Sequence, residues 1–231
     1  MKGKWHITII LVILVILTGL EAGRSYRNRQ SLIYAEALSE VAVTVDKKEL
    51  TLFDMAFYVA YQEKEVQKDA IIYNEEKPYR YWNAHTNGQF IRKIAEDAVV
   101  DMAVHDEIFY QMAALEGLEL NETEEIYLNN EILDFCSDVT KEQFARLGVS
   151  QADIKAAMRK IALANKYQSV LSQMKEIDYT NYNYTGEDYQ KLLENHEVIV
   201  NEAVWDRISL GNITVNYKKK GNSLFSKSVQ W

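Results

Sequence analysis

The chain contains a single proline, Pro78, among its 231 residues, and this feature most restricts how it can fold. Proline ends or kinks a helix because it lacks the backbone N–H and its ring clashes with the preceding turn. Nine glycines add few further breaks, so long helices can form over most of the sequence. Hydrophobic residues make up 48% of the chain, which is enough for one sizeable core. We therefore expect a folded, helix-rich protein.

Helix starts are marked by capping boxes, in which a short polar residue is followed three positions later by an acidic one. The pairs are Thr51 with Asp54, Asn121 with Glu124, and Ser150 with Asp153. Together with apolar residues that recur every three or four positions, these caps predict a series of helices. The expected ranges are 52–68, 90–115, 122–135, 140–147, 151–174 and 187–194.

The same periodicity predicts which side chains of the longer helices are buried. In the first helix these are Phe53, Phe57 and Tyr61. In the long central helix they are Ile91, Ile94, Ala98, Met102, His105, Phe109 and Met112. In the helix that follows Ser150 they are Ile154, Met158, Ile161, Ala162 and Val170.

Two short stretches have the pattern of strands. Apolar residues alternate over 41–45, and a turn at 46–48 leads into a return strand ending at 51, so a small hairpin is expected. A second stretch, 196–201, is also strand-like and needs a partner. We expect the end of the chain to return and pair with its start. The predicted class is mainly α with a small β-sheet.

The N-terminus has the features of an export or anchoring segment. Lys2 and Lys4 precede an apolar run over 5–20, and Glu21 ends it. The run is shorter than the about 20 residues that span a bilayer, and Leu20-Glu21-Ala22 is a passable cleavage site, so a cleaved signal and a retained anchor both remain open. The expected location is the cell membrane with an extracytoplasmic domain, or the exterior after cleavage.

These signals divide the chain into four parts. Residues 1–22 are the signal or anchor, and 23–40 are a stalk. The domain spans 41–211, with short strands at 41–51 and 196–204. A polar tail that contains three consecutive lysines, 212–231, follows.

Charge and cysteine content exclude several classes of function. The formal net charge is −8, which repels phosphate backbones, so nucleic acid is not an expected partner. Cys136 is the one cysteine, so no disulfide can form within the chain. No motif supplies this thiol with a base, and a small core residue is the expected role.

Three passages resemble the chaperone part of the SurA/PrsA family of extracytoplasmic foldases, which is related in architecture to the C-terminal part of trigger factor. They are the strand, turn, strand and cap at 41–51, the helix end and cap at 113–124, and the short helix, glycine, serine cap and long helix from 144 to 163. Asp46-Lys47 stands where the family usually has Asn-Gly. The resemblance covers about residues 40 to 205 and implies a helical bundle like the SurA N-terminal domain, with a terminal hairpin.

The resemblance also implies a function, which is to bind unfolded or newly translocated polypeptides. Members that catalyse prolyl isomerisation carry a further parvulin domain of about 90 residues, whereas 27 residues follow Val204 in this chain. No isomerase catalysis, catalytic residue or cofactor is therefore expected. Two alternatives remain: a dedicated interaction subunit of a cell-envelope complex, and a residual peptidyl-prolyl isomerase.

Large aromatic and flexible side chains are the candidate contacts for such clients. Rings give contact area at low entropic cost, and methionines adapt to varied partners. The candidates are Tyr73, Tyr79, Tyr81, Trp82, Met102 and Met112. The alternative role for the four rings is to pack the 70–88 connection against the bundle.

Asp97, Asp101 and His105 lie four residues apart on one predicted helix, a spacing that could present all three to a metal ion. Because His105 also continues the apolar stripe, a partly buried histidine bonded to Asp101 is the simpler interpretation. No metal site is predicted.

Overall fold

A computed structural model describes residues 31–217 as a helical body that carries a small antiparallel sheet. The predicted class, mainly α with a small sheet, is confirmed. The predicted membrane segment at 1–22 and the lysines at 218–220 lie outside the described residues. Between residues 31 and 217, none of the helices combines the length and the apolar character needed to span a bilayer.

Helices form most of the described part of the chain, and the strands between them are short. The helices are α1 (Leu52–Tyr73), α2 (Tyr79–Trp82), α3 (Ile91–Leu115), α4 (Glu122–Asp138), α5 (Lys141–Leu147), α6 (Gln151–Lys175), α7 (Glu187–Leu193) and α8 (Glu202–Trp205). The strands are β1 (Val41–Val45), β2 (Lys48–Thr51), β3 (His85–Thr86), β4 (Gln89–Phe90) and β5 (Val198–Val200). Two turns of 3-10 helix lie at Tyr34–Glu36 and Tyr179–Tyr182.

The capping boxes form as the sequence predicts. At the start of α1, the backbone N–H of Thr51 donates to the Asp54 carboxylate over 2.8 Å. The same reciprocal arrangement begins α4 and α6, as predicted, and α5 has a further capping box between Thr140 and Gln143 that was not predicted. However, α1 continues to Tyr73 instead of ending near residue 68, because no proline or glycine lies between residue 68 and Pro78.

The core lies where α1, α3 and α6 pack together, and the sheet covers one side of it. The buried residues of α1 are Leu52, Met55, Ala56, Tyr58, Val59, Ala60, Glu63 and Ala70, which together form its buried stripe. The prediction that Phe53 and Tyr61 are buried was wrong, since they are 44% and 39% exposed. Together with half-buried Phe57, they form a row spaced four residues apart, along the edge of the buried stripe.

β1 is the central strand of the three-stranded sheet, between β2 and β5. It pairs antiparallel with both, and Val43 lies opposite Val200 on β5. The expected return of the chain's end to its start is therefore confirmed. The late strand is shorter than predicted, because residues 202–205 form α8 instead of continuing it.

The folded unit extends beyond both predicted boundaries. Tyr34, placed in the expected stalk, is 3% exposed and donates its hydroxyl to the carbonyl of Leu52 over 2.5 Å. Ile213 and Thr214, placed in the expected polar tail, are buried. The described parts of these two segments, 31–40 and 212–217, therefore belong to the domain.

Glu63 on α1 holds the second of these segments. Its side chain is fully buried, and Oε1 accepts the N–H groups of Gly211 (2.5 Å) and Ile213 (3.1 Å). Oε2 accepts both the N–H and the hydroxyl of Thr214. Burial raises the pKa of Glu63, and these hydrogen bonds oppose that rise. We call this arrangement, Glu63 with residues 211–214, the Glu63 clasp.

Candidate functional site

A cleft of about 820 Å³ opens between α1, α3, α4 and α6. The segment 179–185 borders it. The lining is contributed by Phe57, Tyr58, Tyr61 and Lys64 from α1, Met102, His105 and Asp106 from α3, Glu131, Asp134, Phe135 and Asp138 from α4, and Met158, Ile161, Ala162, Asn165 and Gln168 from α6, with Tyr179, Asn183, Tyr184 and Thr185. Its volume falls in the range of about 300–1,000 Å³ that is typical of ligand pockets.

One wall of the cleft is aromatic. Phe57 and Tyr61 stack with ring centroids 6.0 Å apart, and Phe135 from α4 lies 5.0 Å from Phe57. Tyr61 is 39% exposed, so part of this surface faces solvent. Met102 and Met158 add flexible apolar side chains. The wall can therefore contact apolar side chains of varied shape.

One edge of the cleft is acidic. Glu131, Asp134 and Asp138 are exposed and lie along one edge of α4. Lys64 pairs with Asp138 over 2.5 Å, and this hydrogen bond lowers the pKa of the Asp138 carboxyl. Glu131 and Asp134 have no ion-pair partner between residues 31 and 217. The cleft thus has a negative potential that favours cationic groups.

A chain of hydrogen bonds crosses the floor. The hydroxyl of Tyr58 donates to Asp106 Oδ2 over 3.0 Å, and Asp106 Oδ1 lies 2.8 Å from Nδ1 of His105. Nε2 of His105 lies 2.8 Å from the carbonyl of Tyr182, which can only accept, so Nε2 donates. Burial raises the pKa of Tyr58 well above its ordinary value. The chain fixes the 179–182 turn against α3.

The three candidate metal ligands are not brought together. His105 is buried and bonds Asp106, so the expected bond to Asp101 was wrong. Asp97 instead pairs with Lys93 over 3.1 Å. Among residues 31–217, no group of three histidine, cysteine or acidic side chains is placed to hold a metal ion. Cys136 on α4 is partly buried, and burial raises the pKa of its thiol.

Of the residues predicted to contact clients, Met102 lines the cleft. Trp82 is fully buried and donates Nε1–H to Gln67 over 2.9 Å, so it is a core residue and that prediction was wrong. Met112 packs partly buried against the core. Tyr73 and Tyr79 are 61% and 50% exposed, and the ring centroids of Tyr73 and Tyr81 are 5.4 Å apart. None of these three tyrosines lines the cleft.

The residues that form the aromatic wall were missed as binding candidates. Phe57 and Tyr61 are visible in the sequence as an apolar row, but a row of this kind predicts a core position. Phe135 is visible only as the last residue of a predicted helix. A second, smaller depression of about 210 Å³ lies beside β2, with Phe57 and Tyr58 shared between the two.

Comparison with known proteins adds no family to this description, since no family model, curated protein or solved structure matches the chain. The resemblance to the SurA/PrsA family therefore stays a prediction from the sequence motifs.

Proposed function

We propose that this domain is a chaperone-like module of SurA/PrsA-type architecture that binds unfolded or newly translocated polypeptides, without isomerase catalysis. In the proposed setting, the N-terminal segment directs it to the cell membrane or to the exterior. The observation that carries the proposal is the open cleft, with its partly exposed aromatic wall and its acidic edge.

The wall suits weak binding of many sequences. Burying one large apolar side chain contributes about 1.5–3 kcal/mol. Two or three such side chains against Phe57, Tyr61 and Phe135 give about 3–9 kcal/mol before the cost of ordering the client, so the expected affinity is weaker than about micromolar. Flexible Met102 and Met158 allow the surface to adapt to each client.

The floor supports binding over catalysis. His105 and Asp106 are the groups in the cleft with the best-known catalytic chemistry, and both are engaged with Tyr58 and Tyr182. A general base must reach a substrate proton, whereas this imidazole has both nitrogens occupied. The cleft therefore offers contact area and charge.

Suppression of aggregation tests the proposal. The full chain is mixed with reduced lysozyme, a basic client, or with reduced α-lactalbumin, an acidic client of the same fold, and light scattering is followed. We expect suppression of both, and stronger suppression of lysozyme because of Glu131 and Asp134. No effect on either client at several-fold molar excess would contradict the proposal.

Two matched variants locate the activity. Tyr61→Ala removes part of the aromatic wall, and Tyr127→Ala removes an exposed ring of α4 that does not line the cleft. We expect the first to weaken suppression and the second to leave it unchanged. Equal effects would place client binding elsewhere on the domain. A single stoichiometric partner in a pull-down, with no suppression, would favour a dedicated interaction subunit.

A further inference from the structure

We propose that residues 218–231 of the chain bind in this cleft as an internal ligand that competes with external polypeptides. This inference concerns the regulation of the same site and rests on the proposed function for its biological role. The binding itself is separately testable. Three features of the chain support it: charge, the point from which the segment departs, and length.

Charge is the first feature. The segment 218–231 contains four lysines, Lys218, Lys219, Lys220 and Lys227, and no acidic residue. Glu131 and Asp134 on the cleft edge lack ion-pair partners among the described residues. Lys64 is the one lysine or arginine among the described residues that line the cleft, and Asp138 already pairs with it. The carboxylates of Glu131 and Asp134 therefore suit cationic ligands.

The point of departure is the second feature. Thr214 and Val215 share a depression of about 230 Å³ with Lys64 and Asp138, and these last two residues also line the cleft. The Glu63 clasp holds Thr214 in place. Asn216 is fixed to Gln67 on α1 by a hydrogen bond of 2.9 Å. Tyr217, the last described residue, packs its ring 3.9 Å from the Arg146 guanidinium, so the segment begins beside α5, the helix that follows the Asp138 end of the cleft.

Length is the third feature. The acidic edge of the cleft, from Glu131 to Asp138 on α4, is about 10 Å long, because an α-helix rises about 1.5 Å per residue. Three extended residues, 218–220, cover about the same distance at about 3.3 Å each. Phe225 is eight residues beyond Tyr217 and can lie up to about 26 Å from it, which is more than twice the length of that edge. Leu224 and Phe225 would then supply apolar side chains for the aromatic wall.

Tethering makes even weak binding effective. A short linked segment has an effective concentration near about 1 mM, so a separate-peptide Kd of about 100 µM leaves it bound about nine-tenths of the time. An external ligand for the same site is then weakened about tenfold. A client that binds tightly or is present at high local concentration displaces the segment.

Photo-crosslinking within the full chain tests the contact without any client. Phe225 is replaced by benzoylphenylalanine, and the crosslinked residues are identified by mass spectrometry. We expect crosslinks within one chain to the cleft-lining parts of α1 or α4. Glu131→Lys with Asp134→Lys should reduce them at least fivefold. The matched change Glu75→Lys with Glu76→Lys alters exposed acids outside the cleft lining and should not. Crosslinks elsewhere, or mainly between two copies, would overturn the proposal.

Competition tests the consequence. A fluorescent peptide with the sequence of residues 218–231 is titrated into the full chain and into a variant that ends at Tyr217. We expect about tenfold tighter binding to the shortened chain. Equal affinities would overturn the proposal, as would no binding to either. Failure of both chains to suppress client aggregation would instead count against the proposed function, and it would leave the crosslinking result intact.

Discussion

Oε2 of Glu63 accepts two hydrogen bonds from Thr214, one from the backbone N–H and one from the hydroxyl, each 2.5 Å long. The two residues lie 151 positions apart in the chain. A buried carboxylate is costly unless its oxygens are fully bonded, and in this protein four donors satisfy them. The Glu63 clasp therefore makes the end of the domain part of its core.

Substitutions at the two ends of this contact should differ in cost. Glu63→Ala leaves the buried donors of Gly211, Ile213 and Thr214 without acceptors, so we expect a loss of about 3–5 kcal/mol in the free energy of unfolding. Thr214→Val removes one donor and keeps the backbone N–H, with an expected loss of about 1–2 kcal/mol. Urea unfolding followed by circular dichroism measures both. Equal losses would show that the clasp does not act through its carboxylate.

Gly211 should not tolerate a side chain. Its φ is +84°, and an added Cβ would lie 2.4 Å from Cδ2 of Trp82. Gly211→Ala combines backbone strain with a clash against a buried ring, for an expected loss of about 2–5 kcal/mol. Gly88 has a similar φ of +88° with open space around it, so Gly88→Ala measures the strain alone, about 1–2 kcal/mol. Thermal unfolding compares the two, and a milder effect at Gly211 would contradict the contact with Trp82.

Trp82 and Trp205, both fully buried, should respond differently to substitution by phenylalanine. Nε1–H of Trp82 donates to Gln67, whereas Nε1 of Trp205 is buried without a partner among the described residues. Both substitutions lose ring volume, but only Trp82→Phe also loses a hydrogen bond. We expect Trp82→Phe to cost about 1–2 kcal/mol more than Trp205→Phe in chemical unfolding. The reverse order would imply that Trp205 has a partner outside residues 31–217.

Glu96 on α3 should make stability depend on pH. Burial raises its pKa to about 7 from 4.5, although Lys93 and Arg92 oppose the rise. The Glu96 carboxyl therefore binds its proton more tightly in the folded state than in the unfolded state. Its protonation contributes stability that is fully present below about pH 4.5 and is lost as the pH rises toward 7. At pH 8, Glu96→Gln should be more stable than the unmodified chain by at most about 3 kcal/mol, and at pH 4.5 the two should be equal.

Urea unfolding at several pH values checks this prediction. Glu63 has a raised pKa as well, but it is present in both proteins, so its contribution cancels in the difference. A difference between the two proteins that is independent of pH would show that Glu96 does not titrate in this range.

Local signals predicted much of the fold. Each capping box joins residues three positions apart, so the sequence alone contained the information for the starts of α1, α4 and α6. The return of β5 to β1 followed from a simpler requirement, since a strand without a partner leaves its backbone unpaired. The helix starts thus depend on residues close together in the chain, and the strand pairing depends on the general need to satisfy backbone hydrogen bonds.

The features that were missed depend on tertiary partners. An apolar row such as Phe57 and Tyr61 has the same helical periodicity whether it packs into a core or lines a cleft. The position of α4, which the sequence does not give, decides between the two. A glutamate within a helix is usually exposed, so nothing local to Glu63 indicated its burial. The residues after 211 were predicted to be a polar tail. Most of the groups that bind Glu63 are backbone N–H groups, and the amino-acid sequence does not reveal which N–H groups will bind a distant side chain.

The central position of β1 has a consequence for how the chain folds during synthesis. Asn201, directly after β5, bonds Val41 across 160 positions, so this contact closes a long stretch of chain and the sheet is completed late. A nascent chain that has emerged only as far as α7 leaves one edge of β1 open and the Glu63 carboxylate without its donors. Such an intermediate exposes an aggregation-prone strand edge until the last segment arrives. A domain proposed to protect other unfinished chains would therefore pass through a vulnerable unfinished state itself.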